Sequence, residues 1–202
     1  MIEDFIAETE RLLGYISRTE KGDLAVIGPA RRLAKKQGLG FEQVENAIRV
    51  GVRKKTSTYL RKISEGEDAE IYISLIRDLA EEHCLDRVEL EEKIARATRE
   101  AELGKLALYI NMIENANIHL ASKARAIQGK YGLKGSRLEE AIRRGEAVYL
   151  FRNIKQIKKG PRFHPLLPSE EKLLREIASK HGHEAELEEA IKEWKKSKCH
   201  AE

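Results

Sequence analysis

Clusters of lysine and arginine are the residues of this chain best suited to chemistry, because cations held on a rigid scaffold bind phosphate groups. Segment 29–63 contains ten basic and two acidic residues, and segment 114–165 contains twelve and four, so each carries a net charge of +8. The whole chain carries only +4. The candidate phosphate-binding residues are Arg31, Arg32, Lys35, Lys36, Arg49, Arg53, Arg125, Lys130, Arg143, Arg144, Lys158, Lys159 and Arg162. The alternative is that both basic segments face acidic segments of the same chain or of a second copy.

Segment 33–48 and its counterparts at 79–94, 127–142 and 177–191 each resemble the helix-turn-helix of DNA-binding regulators, and with flanking residues the match covers about 20 residues per copy. A small residue, a glycine and an apolar residue follow at the spacing of that motif, as Ala34, Gly38 and Val44. Helices that read bases present Arg, Lys, Asn, Gln, Ser or Thr at their N-terminal end, whereas this one presents Glu42 and Glu45. Carboxylates repel phosphates, so the sequence favours contacts to a nucleic-acid backbone over base readout.

Histidines and cysteines offer metal-ligand chemistry at two places. His181 and His183 precede Cys199 and His200, but the intervening helix would hold the two pairs about 20 Å apart. The other pair, His83 and Cys84, supplies two ligands only. We therefore expect no structural metal.

Enzyme signatures are missing from the sequence. It contains no GxxxxGK[ST] phosphate loop, no GxGxxG turn, no HExxH pair and no GxSxG elbow. We expect no catalytic residue, no cofactor and no enzymatic activity.

Helical hairpins must position these residues. An amphipathic helix, a tight turn and a second helix with early glutamates recur at 33–48, 79–94, 127–142 and 177–191. Gly38, Gly132 and Gly182 stand where a helix C-cap needs a left-handed residue, and Cys84 takes this place in the second hairpin. The pattern predicts four tandem hairpins.

The hairpins form a duplicated pair with an offset of 94 residues. The identical residues are Tyr15, Ile16, Glu20, Ala30, Arg31, Lys36, Gly38, Leu39, Glu45, Ala47, Ile48, Arg49, Gly51 and Ile63, which recur 94 positions later. The repeat predicts that helices at 23–37 and 41–63 correspond to helices at 117–131 and 135–157. It divides the chain into halves 1–100 and 101–202, which we expect to pack as one domain.

Composition favours an all-α fold, either a short α-solenoid or a compact helical bundle. Charged residues make up 36% of the chain and aromatic residues 5%, a mixture typical of long helices. Abundant Lys, Arg and Glu with few Asn, Gln, Cys and Met is also typical of proteins from organisms that grow at high temperature.

The sequence also predicts where the protein resides. The start Met1-Ile2-Glu3-Asp4 does not resemble a secretory signal, and no apolar run is long enough to span a bilayer. We expect a cytoplasmic protein with reduced cysteines and no membrane partner.

The function predicted from these features is that of a non-enzymatic helical repeat protein that binds or scaffolds another macromolecule. A protein partner or self-association is the first expectation. The alternative is an RNA- or DNA-binding protein that contacts the phosphate backbone through its two basic hairpins.

Overall fold

The computed structural model describes residues 2–38, 40–161 and 164–199. Within these ranges the regular structure consists of nine α-helices and two 3₁₀ turns, without any strand. The helices are α1 (Ile2–Glu20), α2 (Ile27–Gln37), α3 (Phe41–Ser64), α4 (Ala69–Glu82), α5 (Arg87–Glu114), α6 (Ala121–Lys130), α7 (Arg137–Ile157), α8 (Pro168–His181) and α9 (Glu184–Cys199). The predicted all-α fold is confirmed. None of the described helices is both long enough and apolar enough to cross a lipid bilayer.

The 94-residue repeat of the sequence returns in the bounds of the helices. The 3₁₀ turn Leu24–Val26 leads into α2, and the 3₁₀ turn Ile118–Leu120 leads into α6. The second turn begins 94 residues after the first, and α6 begins 94 residues after α2. The long helices α3 and α7 end at Ser64 and Ile157, within one residue of the same offset. The segment between α7 and α8 is longer than that between α3 and α4. As a result, α8 begins 99 residues after α4.

Left-handed residues end the first helix of several hairpins, as the turn glycines predict. Gly38 and Gly182 cap α2 and α8 with φ of 63° and 74°. Cys84, which stands where the other hairpins have glycine, also has a positive φ of 50°. A side chain in this conformation is strained, because its Cβ crowds the following carbonyl oxygen. The second hairpin therefore has the same left-handed turn geometry without a glycine.

The chain divides into two compact units, Met1–Glu102 and Leu103–Glu202. In the first unit α1, α2 and α3 pack around one apolar cluster, and the end of α3 packs with α4 and the start of α5 around another. Fully buried side chains at these contacts include Val44, Val52, Ile63 and Ile76. The long helix α3 belongs to both clusters and so joins the two hairpins of this unit.

The second unit repeats this arrangement around α7. The end of α5, α6 and the start of α7 share one apolar cluster, while the rest of α7 packs with α8 and α9 around another. Fully buried residues here include Ile113, Leu138, Leu150, Leu174 and Leu187. Trp194 on α9 packs against the second cluster, and its Nε1 donates to the His164 carbonyl oxygen at 2.8 Å. This hydrogen bond fastens the segment before α8 to the last helix.

Candidate functional site

The candidate phosphate-binding residues are exposed wherever the structure describes them, and Arg162 lies outside the described residues. They differ in whether another side chain already neutralises their charge. The ion-paired members are Arg31 with Glu45, Lys36 with Glu8, Arg125 with Glu139 and Arg144 with Glu140. Lys130 places its ammonium 5.3 Å from the ring centroid of Tyr131. A basic segment in the sequence is therefore not a uniformly available basic surface.

An arginine–glutamate pair bridges the two helices of every hairpin, an arrangement that we call the hairpin clasp. In the first clasp the Arg31 Nε donates to Glu45 Oε1 at 2.7 Å and its Nη2 to Oε2 at 3.0 Å. The same two-bond geometry joins Arg125 to Glu139. The remaining clasps are Arg77 with Glu91 and Arg175 with Glu188.

The clasps give Arg31 and Arg125 a role that competes with phosphate binding. Hydrogen bonds from Arg31 lower the pKa of Glu45, and those from Arg125 lower the pKa of Glu139. Each arginine therefore already holds a carboxylate in its charged form. The spacing of arginine and glutamate in the sequence signals these pairs. Arginine and glutamate are 14 residues apart in three hairpins and 13 apart in the fourth, which is one residue shorter.

The outer face of α3 carries cations that have no ion pair with any described residue. Arg49, Arg53 and Lys54 lie on its exposed arc, and Arg61 continues this arc but pairs with Glu65 at 3.3 Å. From Arg49 to Arg61 the helix rises by about 18 Å. We call Arg49, Arg53 and Lys54 the α3 basic face. Arg49 and Arg53 are candidates predicted from the sequence, and Lys54 is a further exposed cation on the same helix.

The corresponding face of α7 is different, although its segment has the same net charge. Arg143 matches Arg49, but Ala147 and Val148 replace Arg53 and Lys54, and Phe151 replaces Ser57. Val148 and Phe151 are 42% and 45% exposed. The other unpaired cations of this segment include Lys158 and Lys159, just beyond the last residue of α7. The long helix of the first unit thus carries Arg53 and Lys54 where that of the second unit carries Ala147 and Val148.

On α2, the cations Arg32 and Lys35 are exposed and make no ion pair with a described residue. Arg32 lies near α1, in a shallow groove that also contains Arg11 and Lys36. Because Lys36 pairs with Glu8 of α1, this part of the first unit is held together by charge as well as by apolar packing. Of the four cations predicted to act together on α2, Arg31 pairs with Glu45 and Lys36 pairs with Glu8, while Arg32 and Lys35 make no ion pair with a described residue.

The predicted metal ligands do not assemble where the structure describes them. His181 places its Nε2 2.9 Å from Glu146 Oε2, while His183 contacts the Phe151 ring with centroids 4.8 Å apart. The side chains of Cys199 and His200 lie outside the described residues. Among the residues that are described, no three His, Cys, Asp or Glu side chains are grouped as metal ligands would be. That the protein binds no structural metal stays a prediction.

Comparisons with known proteins name no family for this chain. No protein-family model, no curated protein and no solved structure matches it. Its chemistry must therefore be inferred from its own side chains, and the α3 basic face is the feature whose charge is least compensated.

Proposed function

We propose that the protein is a non-enzymatic binding module for another macromolecule, and that the α3 basic face binds the phosphate backbone of a nucleic acid. The observation that supports this proposal is the unpaired state of Arg49, Arg53 and Lys54, next to clasps that neutralise other arginines of the same hairpin. None of these three cations makes an ion pair with a described residue. A polyanion supplies such charges and releases its own counterions when it binds.

Backbone contact fits this surface better than base readout. The N-terminal end of α3, which a recognition helix would insert into the major groove, carries Glu42, and Glu45 follows within the first clasp. The cations lie further along the helix, on its side. Side-on cations contact phosphates and position a protein without reading sequence. The proposed interaction is therefore strongly salt-dependent and only weakly selective for sequence.

Charge reversal on α3 tests the proposal. The variant Arg49→Glu/Lys54→Glu is compared with the control Lys172→Glu/Lys192→Glu, which changes the net charge equally at exposed lysines of α8 and α9. Fluorescence anisotropy with a labelled 20-nucleotide RNA and a 20-base-pair DNA duplex gives the affinity between 50 and 200 mM salt. Each lost phosphate contact lowers the slope of log affinity against log salt by about 0.7 for single strands and about 0.9 for duplexes.

We expect the α3 variant to bind more weakly to all sequences and to lose about 1.5 units of this slope. The control should behave like the wild type, and both variants should unfold at nearly the wild-type temperature because the exchanged side chains are exposed. Equal effects of the two variants would mean that net charge alone drives binding. If the wild type binds neither probe, the nucleic-acid proposal is wrong. The partner would then be a protein, and the exposed apolar residues Phe5, Ile6 and Leu13 of α1 would be the first surface to examine.

A further inference from the structure

A groove in the first unit separates α3 from the turn between α4 and α5. It has a volume of about 880 Å³, and its lining includes Thr56, Ser57 and Leu60 of α3, Leu85 of the turn and Leu90 of α5. This volume lies within the range of about 300–1,000 Å³ of small-molecule sites.

In the second unit, larger apolar side chains occupy the positions equivalent to two residues that line this groove. At the 94-residue offset, Thr56 corresponds to Leu150, which is fully buried in an apolar cluster. Ser57 corresponds to Phe151, whose ring contacts His183 at the next hairpin turn. The first unit has the same helices but a smaller, polar pair of side chains. Its groove therefore reflects a difference in residues and not a difference in fold.

A buried hydroxyl in the groove has no partner. The Thr56 residue is only 5% exposed, and its Oγ1 makes no hydrogen bond with any described residue. Threonine hydroxyls inside helices commonly donate to the carbonyl four residues earlier, as Thr58 does to Lys54 at 2.9 Å. A buried polar group without a partner is uncommon in folded proteins. Thr56 is one of the residues that line the groove.

The charges that line the groove indicate the sign of that ligand. Glu89 is already paired with Lys93, and Asp86 Oδ1 accepts hydrogen bonds from the backbone N–H groups of Val88 and Glu89 at 2.9 and 3.1 Å. Arg53 is the lining cation that makes no ion pair with a described residue, whereas Lys93 is paired with Glu89. The groove thus combines one cation without an ion pair and one hydroxyl without a hydrogen-bond partner with the apolar side chains of three leucines.

We propose that this groove binds a small amphipathic anion, that is, a molecule with a carboxylate or similar acidic head and an apolar body. Arg53 and the Thr56 hydroxyl bind the head, and Leu60, Leu85 and Leu90 contact the body. The proposal is independent of nucleic-acid binding, because it concerns a small molecule inside the groove and not a polyanion on the outer face. The two sites share only Arg53.

Decanoate and decylammonium, which have the same apolar chain and opposite charge, serve as probes in competition with the fluorescent sulfonate 8-anilinonaphthalene-1-sulfonate. The variant Thr56→Leu/Ser57→Phe fills the groove with the side chains of the second unit. Thr56→Val removes only the hydroxyl, and Thr58→Val is its control outside the groove. In a Cys199→Ser background, alkylation of Cys84, which lines the groove, reports occupancy directly.

We expect one saturable site for the sulfonate, displacement by decanoate but not by decylammonium, and slower alkylation of Cys84 when the groove is occupied. Filling the groove should weaken binding at least tenfold without lowering the unfolding temperature, and Thr56→Val should weaken it about tenfold. Thr58→Val should bind like the wild type. Nucleic-acid affinity should be unchanged in the filled variant, which separates the two sites. Undiminished sulfonate binding by the filled variant would overturn the proposal, as would stronger competition by decylammonium.

Discussion

Gly145 lies where the backbone of α7 approaches the last turn of α5 closely. A Cβ atom at this position would lie 2.8 Å from the carbonyl carbon of Ile113, closer still to its oxygen, and 3.3 Å from its Cγ2. Carbon atoms in favourable contact are about 3.5–4.0 Å apart. The variant Gly145→Ala therefore has to separate the two helices by on the order of 1 Å, because the obstacle is backbone and cannot rotate away.

The expected loss follows from two opposing contributions. Overpacking of a well-packed contact costs about 1–3 kcal/mol, and a backbone obstacle puts this variant in the upper part of that range. Alanine in place of glycine within a helix stabilises it by about 0.5–1 kcal/mol. The net change is a loss of about 2 kcal/mol in the free energy of unfolding. At Gly104 of α5, a Cβ would meet nothing within 4 Å, so Gly104→Ala should gain about 0.5–1 kcal/mol.

Urea unfolding measures both variants. The fluorescence of Trp194, the only tryptophan, reports on the second unit, and circular dichroism reports on all helices. Gly51, the equivalent position in the first unit, allows the same test, because a Cβ there would lie 2.9 Å from the carbonyl carbon of Thr19. Gly51→Ala should therefore lose a similar amount in the first unit. Stabilisation of either Gly145→Ala or Gly51→Ala to the level of Gly104→Ala would refute the close approach of the helices.

Two further predictions concern the turns and the clasps. Cys84→Gly should raise the free energy of unfolding by about 0.5–1 kcal/mol, because the exposed Cys84 has a positive φ, while Cys84→Ser keeps the Cβ and should gain nothing in the same urea titration. A double-mutant cycle on Arg125 and Glu139, which are about half exposed, should give a coupling of about 0.2–1 kcal/mol that high salt reduces. Since Arg125 lowers the pKa of Glu139, this coupling should be present at neutral pH and be lost as the pH falls through that lowered pKa and the carboxylate is protonated; a coupling that persists after Glu139 is protonated would contradict the ion pair.

Local features of the fold were predictable from the sequence because they depend on neighbouring residues. Left-handed caps at Gly38 and Gly182, and the same conformation at Cys84, follow from the position of each residue after an amphipathic helix. The bounds of α3 and α7 follow from apolar periodicity and from the repeat. Exposure of Arg49 and Arg53 follows from the same periodicity, because both lie opposite the apolar side of α3.

The pairing of charges was not predictable in the same way. Whether Arg31 is available to a phosphate depends on Glu45, 14 residues away on the facing helix, and so on the distance between two packed helices. The groove depends on still more distant residues, because Thr56 borders a cavity only through its position relative to Leu85 and Leu90. Contacts between helices, and not the character of each helix, decide which of the basic and polar residues remain unsatisfied.

The duplication separates residues that maintain the fold from residues that give each unit its own surface. Glycine at the close contact of two helices and the arginine–glutamate clasp occur in both units, at Gly51 and Gly145 and in the first and third hairpins. Between residues 53 and 57 the units differ at all five positions, with Arg, Lys, Lys, Thr and Ser of the first unit replaced by Ala, Val, Tyr, Leu and Phe in the second. In the second unit these positions close the core and present apolar side chains. In the first they leave a cation stripe and a groove with an unpartnered hydroxyl, which stability alone does not require. One short stretch of α3 therefore carries both proposed sites, and exchanging it for the stretch of α7 should abolish binding at each while preserving the fold.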